Sequence, residues 1–160
     1  MLSPQLFGGV AAGGLIVLAG WLNPVSDLSP APERVASAGF EGPVSADVVR
    51  VIDGDTFEAN AQIWLGETIA VRVRVAGIDA PELHARCEDE YRRAQAARNY
   101  LAQRIAGRSV RLSDIRNDKY GGRVDARVAD SNGDVADAMI AKHLARAYAG
   151  GRRGGWCDGA

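Results

Sequence analysis

Hydrophobic and polar positions divide the chain into three stretches of different character. No charged residue occurs from 2 to 26, and the run 6–22 is apolar with frequent glycine and no amphipathic period. With its flanks this run is long enough to cross a hydrocarbon core of roughly 30 Å. Trp21, near its end, suits a membrane–water interface. Segment 1–23 therefore reads as an N-terminal membrane anchor, with a cleaved signal peptide as the rival. Against cleavage, the positive n-region is missing, and the nearest A-x-A, Ala36-Ser37-Ala38, lies well beyond the apolar run. Without flanking Lys or Arg near the N-terminus, the positive-inside rule assigns no orientation.

Segment 24–43 holds Pro24, Pro30, Pro32 and Pro43 among Ser, Ala and Gly. That composition makes a poor core and a good semi-extended tether. Folded sequence is expected from Val44, so that 44–160 forms the domain. Runs 46–52 and 56–63 read as strands joined by Asp53-Gly54-Asp55. Run 68–75 alternates, with Ile69, Val71, Val73 and Val75 on one face and Arg72 and Arg74 on the other. Run 88–105 reads as a helix with Tyr91, Ala94, Ala97, Leu101 and Ile105 in one stripe and Gly107 past its end. Strands at 110–115 and 123–129 follow. A second helix then opens at Asp134 or Ala136 and runs through about Lys142, burying Met139 and Ile140. The order β-β-β-α-β-β-α predicts a mainly β fold with helices (α+β): a five-stranded OB-fold barrel with one helix between strands three and four and another after strand five.

Composition adds little beyond this. The formal net charge of −1 provides no global basic field. That argues against non-specific coating of nucleic acid, which runs on phosphate neutralisation, but not against a few cations converging on one phosphate. Lys119 and Lys142 are the only lysines; the other cations are Arg, which suits bidentate phosphate contacts. Two cysteines and two distant histidines, His84 and His143, give no support to a structural zinc site.

Four segments carry candidate chemistry: Ile52-Asp53-Gly54-Asp55-Thr56, Arg74-Val75-Ala76-Gly77-Ile78-Asp79-Ala80-Pro81-Glu82, Asp118-Lys119-Tyr120-Gly121-Gly122-Arg123, and the closing Gly-Gly-Arg-Arg-Gly-Gly-Trp-Cys. Each has an ordinary reading alone: Asp and Gly are common in turns, and Asp-Ala-Pro-Glu can open a helix. Together they place carboxylates and arginines at strand ends and turns, which is what phosphodiester hydrolysis needs. A hard cation takes carboxylate and carbonyl oxygens, the phosphate oxygens take Arg donors, and an attacking water needs a carboxylate beside it.

In order and separation the first three segments resemble the signature of the thermonuclease (staphylococcal-nuclease-like) family, over roughly residues 44–148. The resemblance implies a calcium-dependent nuclease with little sequence specificity, acting on DNA and RNA outside the cytoplasm and leaving 3′-phosphate ends. It implies Asp55, Asp79 and the backbone carbonyl of Ala80 as calcium ligands, Glu82 as the group that orients or deprotonates water, and Arg74 and Arg123 as phosphate-binding catalytic residues. Thr56, Lys119 and Tyr120 match supporting positions near metal or nucleotide, and Asp53 a nearby acidic position. Partners would be single-stranded or frayed nucleic acid and, through 1–23, a lipid bilayer; the domain would face the periplasm or exterior, or be secreted if the segment is cleaved. Similar short members carry cysteines at places like Cys87 and Cys157. A bridge between them would close a loop of about 70 residues, stabilising by about 4 kcal/mol in the chain-entropy account, and would need an oxidising compartment. Two unrelated buried thiols are the alternative.

Three departures stand out. An extra glycine brings Arg123 one residue late, His143 falls where Gly commonly ends the second helix, and Asp125 replaces an apolar residue of the last strand. An uncompensated buried carboxylate is costly, so Arg127, Arg111 or solvent is expected beside Asp125. Tyr148 lies close to a nucleotide-stacking position without clear register. A second function is a catalytically silent barrel serving as a binding module or accessory subunit of a membrane complex; a complete set of carboxylates and arginines argues against it.

Overall fold

The computed structural model describes residues 39–118 and 121–157. The N-terminal segment 1–23, the linker as far as Ala38, and Lys119 and Tyr120 lie outside the described residues. Among the described residues no helix is long and apolar enough to cross a membrane.

Three strands open the domain as an antiparallel meander: β1 (Val44–Val51), β2 (Thr56–Trp64) and β3 (Glu67–Val75). A two-residue strand, β4 (Ile78–Asp79), precedes helix α1 (Glu88–Ile105). Then come β5 (Ser109–Asn117), β6 (Arg123–Asp130), the short β7 (Gly133–Asp134), helix α2 (Val135–Ala141) and the short β8 (Arg146–Ala147). Strand β1 also pairs with β5, β5 with β6, and β6 runs parallel to β3. That last pairing closes five strands into the expected OB-fold barrel, because every long strand then has two neighbours.

Alternation supplies the interior: Ala46, Val48, Phe57, Ala59, Val73, Val75, Val110, Leu112, Ala126 and Val128 point inward and are buried. Leu101 and Ile105 of α1 and Val135 and Met139 of α2 pack onto the same core. Helix α1 begins at Cys87, whose sulfur accepts from the Glu90 amide, and its first turn carries Glu88, Asp89 and Glu90, favourable against the helix dipole. Gly107 follows its end with φ 67°, and His143 takes the left-handed conformation after α2 at φ 56°.

Three expectations about packing need correction. Tyr91 is 41% exposed and Glu90 takes the buried place, because the Glu90 carboxylate accepts from the Arg86 amide at 2.9 Å in the turn that starts α1. Ile69 is 48% exposed, lying toward the tip of the β2–β3 hairpin, where Trp64 and Leu65 are exposed as well. Ile140 is only partly buried, the full burial falling to Met139.

Candidate active site

The loop between β1 and β2 is tied shut by the amides of Ile52 and Asp53, both of which donate to the Thr56 carbonyl. Asp53 Oδ1 accepts from the Asp55 amide at 3.1 Å, an Asx turn that orients the second carboxylate. Gly54 makes the turn possible by lacking a side chain: a Cβ there would lie 2.8 Å from the Cβ atoms of both Ala80 and Ala97. The loop is thereby pressed against α1 on one side and the 79–82 segment on the other. The Val75 amide donates to the Asp55 carbonyl at 2.8 Å, fastening the turn to the end of β3.

Register then brings Arg74 to the same place. It pairs with Thr56 across β2 and with Asp125 across β6. Its Nη2 lies 2.8 Å from Asp55 Oδ2 and donates to the Ile78 carbonyl at 3.1 Å. The Thr56 hydroxyl donates to Asp55 Oδ1 at 2.8 Å. Arg123 stands at the start of β6 opposite Arg72, ion-paired through Nε with Asp118. The late arrival of Arg123 is absorbed by the glycine loop, where Gly122 has φ 78°.

A polar cavity of about 390 Å³ joins these groups: Asp53, Asp55, Thr56, Arg74, Glu82 and Arg123 all line it, with Tyr148, Gly151 and Arg153 on the far wall. An adjoining cavity of about 310 Å³ holds Asp79, Ala80 and Glu82 against Trp156 of the C-terminal tail. Glu82 and Arg153 border both. The sequence-derived residues within the described range therefore converge on one double cleft.

The C-terminal tail is expected from the sequence to be held by its cysteine, but its arginines and Trp156 have no assigned part in the site. Cys87 and Cys157 are disulfide-bonded, which pins the tail to the start of α1. Trp156 is buried, donates from Nε1 to Asp79 Oδ2 at 3.3 Å, and is stacked under the Arg146 guanidinium at 3.7 Å. Arg153 lies with Nε 3.1 Å from Asp79 Oδ1 and Nη1 2.7 Å from Glu82 Oε1. The available signal was a pair of arginines framed by glycines just ahead of a Trp-Cys that could be tethered. Tyr148, of uncertain register in the sequence, does reach the cleft.

Charge in the cleft is finely opposed. Burial pushes the Asp55 carboxyl up to about 6; Arg74 and the Thr56 hydroxyl pull it down and Asp53 pushes it further up. Asp125 is raised by burial and by Asp118, against Arg74 and Arg123. The charges that pull it down are those of the site arginines, while Arg127, which lines the same open pocket as Asp125, is ion-paired with Asp134. The parallel β3–β6 pairing, absent from any reading of β6 alone, turns Asp125 toward Arg74. Burial opposes the charge on Arg153, but Asp79, Asp55 and Glu82 outweigh it and its pKa moves up.

Asp79 Oδ1 is fully enclosed yet has no aligned hydrogen-bond donor among the described residues, the Arg153 contact being one of charge rather than of hydrogen-bond geometry. An enclosed carboxylate oxygen without a donor is the kind of group a hard cation takes, and the oxygen-only chemistry of Asp55, Asp79 and the Ala80 carbonyl suits calcium, magnesium or manganese, although Asp55, Asp79 and Glu82 do not here draw together within one coordination sphere.

The protein is a closed OB barrel with carboxylates and arginines gathered at the ends of β1, β3 and β4. Its sequence matches the family described as Staphylococcal nuclease homologue over residues 72–154, more than half of the chain. The chain belongs to that family. The matched stretch contains Arg74, Asp79, Glu82, Arg123 and Arg153, while the Asp53–Asp55 turn precedes it. Curated proteins give no match.

Proposed function

We propose that this protein is a calcium-dependent nuclease of low sequence specificity, hydrolysing phosphodiester bonds of DNA and RNA outside the cytoplasm. The observation that carries the reading is the single cavity shared by Asp55, Arg74, Glu82 and Arg123. Asp55, Asp79 and the Ala80 carbonyl would hold the cation, with Asp53, close to Asp55, acting in support. Bound there, calcium supplies Lewis-acid polarisation of the phosphate and charge neutralisation.

The chain's own groups account for the rest. Arg74 and Arg123 bind the non-bridging phosphate oxygens and stabilise the charge that grows on them during attack. Glu82 orients a water and takes its proton as oxygen adds to phosphorus. The bond from phosphorus to the 5′ oxygen breaks, leaving a 3′-phosphate and a 5′-hydroxyl. Thr56, which donates to Asp55, keeps that carboxylate in one rotamer. Lys119 and Tyr120 are assigned supporting contacts to the nucleotide, on the resemblance alone. Contacts of these kinds go to phosphate and metal, and phosphate carries no base identity.

Segment 1–23 is proposed as a membrane anchor that holds the domain at the outer face of the cell membrane; if cleaved, it leaves a secreted enzyme. The disulfide agrees with an oxidising compartment. Digestion of a random-sequence single-stranded DNA pool and a matching RNA pool, followed by end-group analysis, tests this function. Dispersed cut sites with 3′-phosphate ends on both polymers are expected. Cuts confined to one sequence, or 5′-phosphate ends, would sink it.

A further inference from the structure

Arg153 occupies an unusual place for a residue outside the barrel. Its guanidinium bridges Asp79 and Glu82 and lies 5.8 Å from the centre of the Tyr148 ring. The same side chain borders the cavity that contains Arg74 and Arg123. The backbone on both sides is fastened: Tyr148 Oη donates to the Gly151 carbonyl at 2.7 Å, and Arg146 Nη1 to the Gly155 carbonyl at 2.8 Å. Beyond Gly155, Trp156 and the Cys87–Cys157 bond complete the anchorage. The tail is thus fixed while the Arg153 side chain, 39% exposed, keeps room to turn.

We propose that Arg153 is the movable cation of this cleft: it neutralises Asp79 and Glu82 when no divalent ion is bound, and turns to the substrate phosphate when such an ion takes Asp79 and leaves Glu82 to the attacking water. The inference rests on the proposed function and adds a substrate-binding arginine supplied by the tail. Two positive groups cannot share Asp79 at full strength, so the divalent ion and Arg153 compete. Once released, the guanidinium remains tethered beside Tyr148, Arg74 and Arg123, and its planar donors match the oxygens of a phosphodiester. Proteins that supply such an arginine from a fixed segment gain a phosphate contact without ordering a new loop on binding.

The test uses the full chain, disulfide intact, as wild type, Arg153→Gln and Arg153→Lys. Calcium binding is followed by titration calorimetry, and binding of a short non-hydrolysable single-stranded oligonucleotide is measured with calcium saturating. Arg153→Gln is expected to bind calcium about tenfold more tightly, a gain that shrinks as salt rises, while binding the oligonucleotide several-fold more weakly. Arg153→Lys keeps the charge and is expected to stay near wild type for calcium, losing only part of the oligonucleotide affinity. Calcium affinity unchanged or weakened in Arg153→Gln overturns the proposal, and so does tighter calcium without weaker oligonucleotide binding. Absence of divalent-ion binding in every protein would instead bring down the metal-dependent nuclease reading itself, and this inference with it.

Discussion

Asp55 Oδ2 and Arg74 Nη2 lie 2.8 Å apart in a position that leaves the two side chains only 11% and 8% exposed. Neither residue is in a helix or in the middle of a strand. Asp55 ends a turn and Arg74 sits one residue before the end of β3, joined to that turn through the Asp55 carbonyl and the Val75 amide. A buried pair of this kind loses more when one partner is removed than it gains by existing, because the survivor is left as an uncompensated charge.

The raised carboxyl of Asp55 makes cation binding pH-dependent. Its pKa moves from 3.8 to about 6 on folding, so the folded state holds this proton more tightly than the unfolded chain. Between those values the Asp55 contribution to stability falls as pH rises, since the unfolded state binds fewer protons there. A divalent ion requires the ionised form, so calcium affinity should hold steady above the folded pKa and drop below about 6, approaching tenfold per pH unit. Calorimetric titrations on either side of that value measure this, and an affinity flat across it would rule out Asp55 as a ligand.

Gly54→Ala should damage the site without touching any charged group. The new methyl would sit 2.8 Å from Ala80 and Ala97, so the turn must move away from α1. A loss of about 1–3 kcal/mol is expected for such overpacking, together with a fall in calcium affinity because Asp55 moves with the turn. Chemical denaturation and calcium titration of the same variant give both numbers; wild-type values would show that the packing is looser than described.

Reduction of the Cys87–Cys157 bond removes the constraint that fastens Trp156 and Arg153 over the cleft. The double variant Cys87→Ser, Cys157→Ser should lose about 2–5 kcal/mol of unfolding free energy. Its Trp156 should become accessible to a fluorescence quencher, since the indole is now 7% exposed. Quenching unchanged from the oxidised protein would mean the tail is held without the bridge.

Arg104 and Asp130 join the end of α1 to the end of β6 through bonds of 2.7 and 3.0 Å, and neither lines the cleft cavities. Burial works against ionisation of Asp130, but Arg104 and the Asn132 amide overcome it and hold its pKa below the ordinary value. Arg104→Ala strands that carboxylate and should cost about 3 kcal/mol or more, with kcat/KM per folded molecule unaltered. The stability that Asp130 contributes is present above its unfolded pKa of 3.8 and is lost as pH falls through its lower folded value. Equal stability of wild type and Arg104→Ala at neutral pH would contradict the pairing.

Much of this architecture is legible in the chain. The alternation of β3, the 88–105 periodicity and Gly107 set strand and helix limits almost residue for residue, because apolar spacing and a left-handed stop are local properties. His143 was readable as a left-handed cap for the same reason. Glu90 was not readable as buried, since its burial comes from a capping contact at Arg86 beside the disulfide rather than from hydrophobic period. The partners of Asp125 depend on the parallel pairing of β3 with β6, which no local pattern encodes. Strands of two residues, β4 and β8, have too little length to show any period, yet their pairing brings Arg146 opposite Asp79 and starts the tail toward the site. Asp55, Arg74, Asp79, Glu82 and Arg123 stood out by motif, and Arg153 did not, because its role arises only once the tail is folded back.

The central claim is that the carboxylate–arginine cleft cuts phosphodiester bonds with a divalent ion. It is met most directly by single-stranded DNA digestion with calcium and then with excess chelator, using wild type beside Glu82→Gln and Arg74→Ala. Cleavage that requires calcium and falls by about 100-fold or more in both variants is the expected result. Folded, disulfide-intact protein that leaves the DNA whole in calcium, magnesium and manganese alike would contradict the account and leave the barrel as a binding subunit.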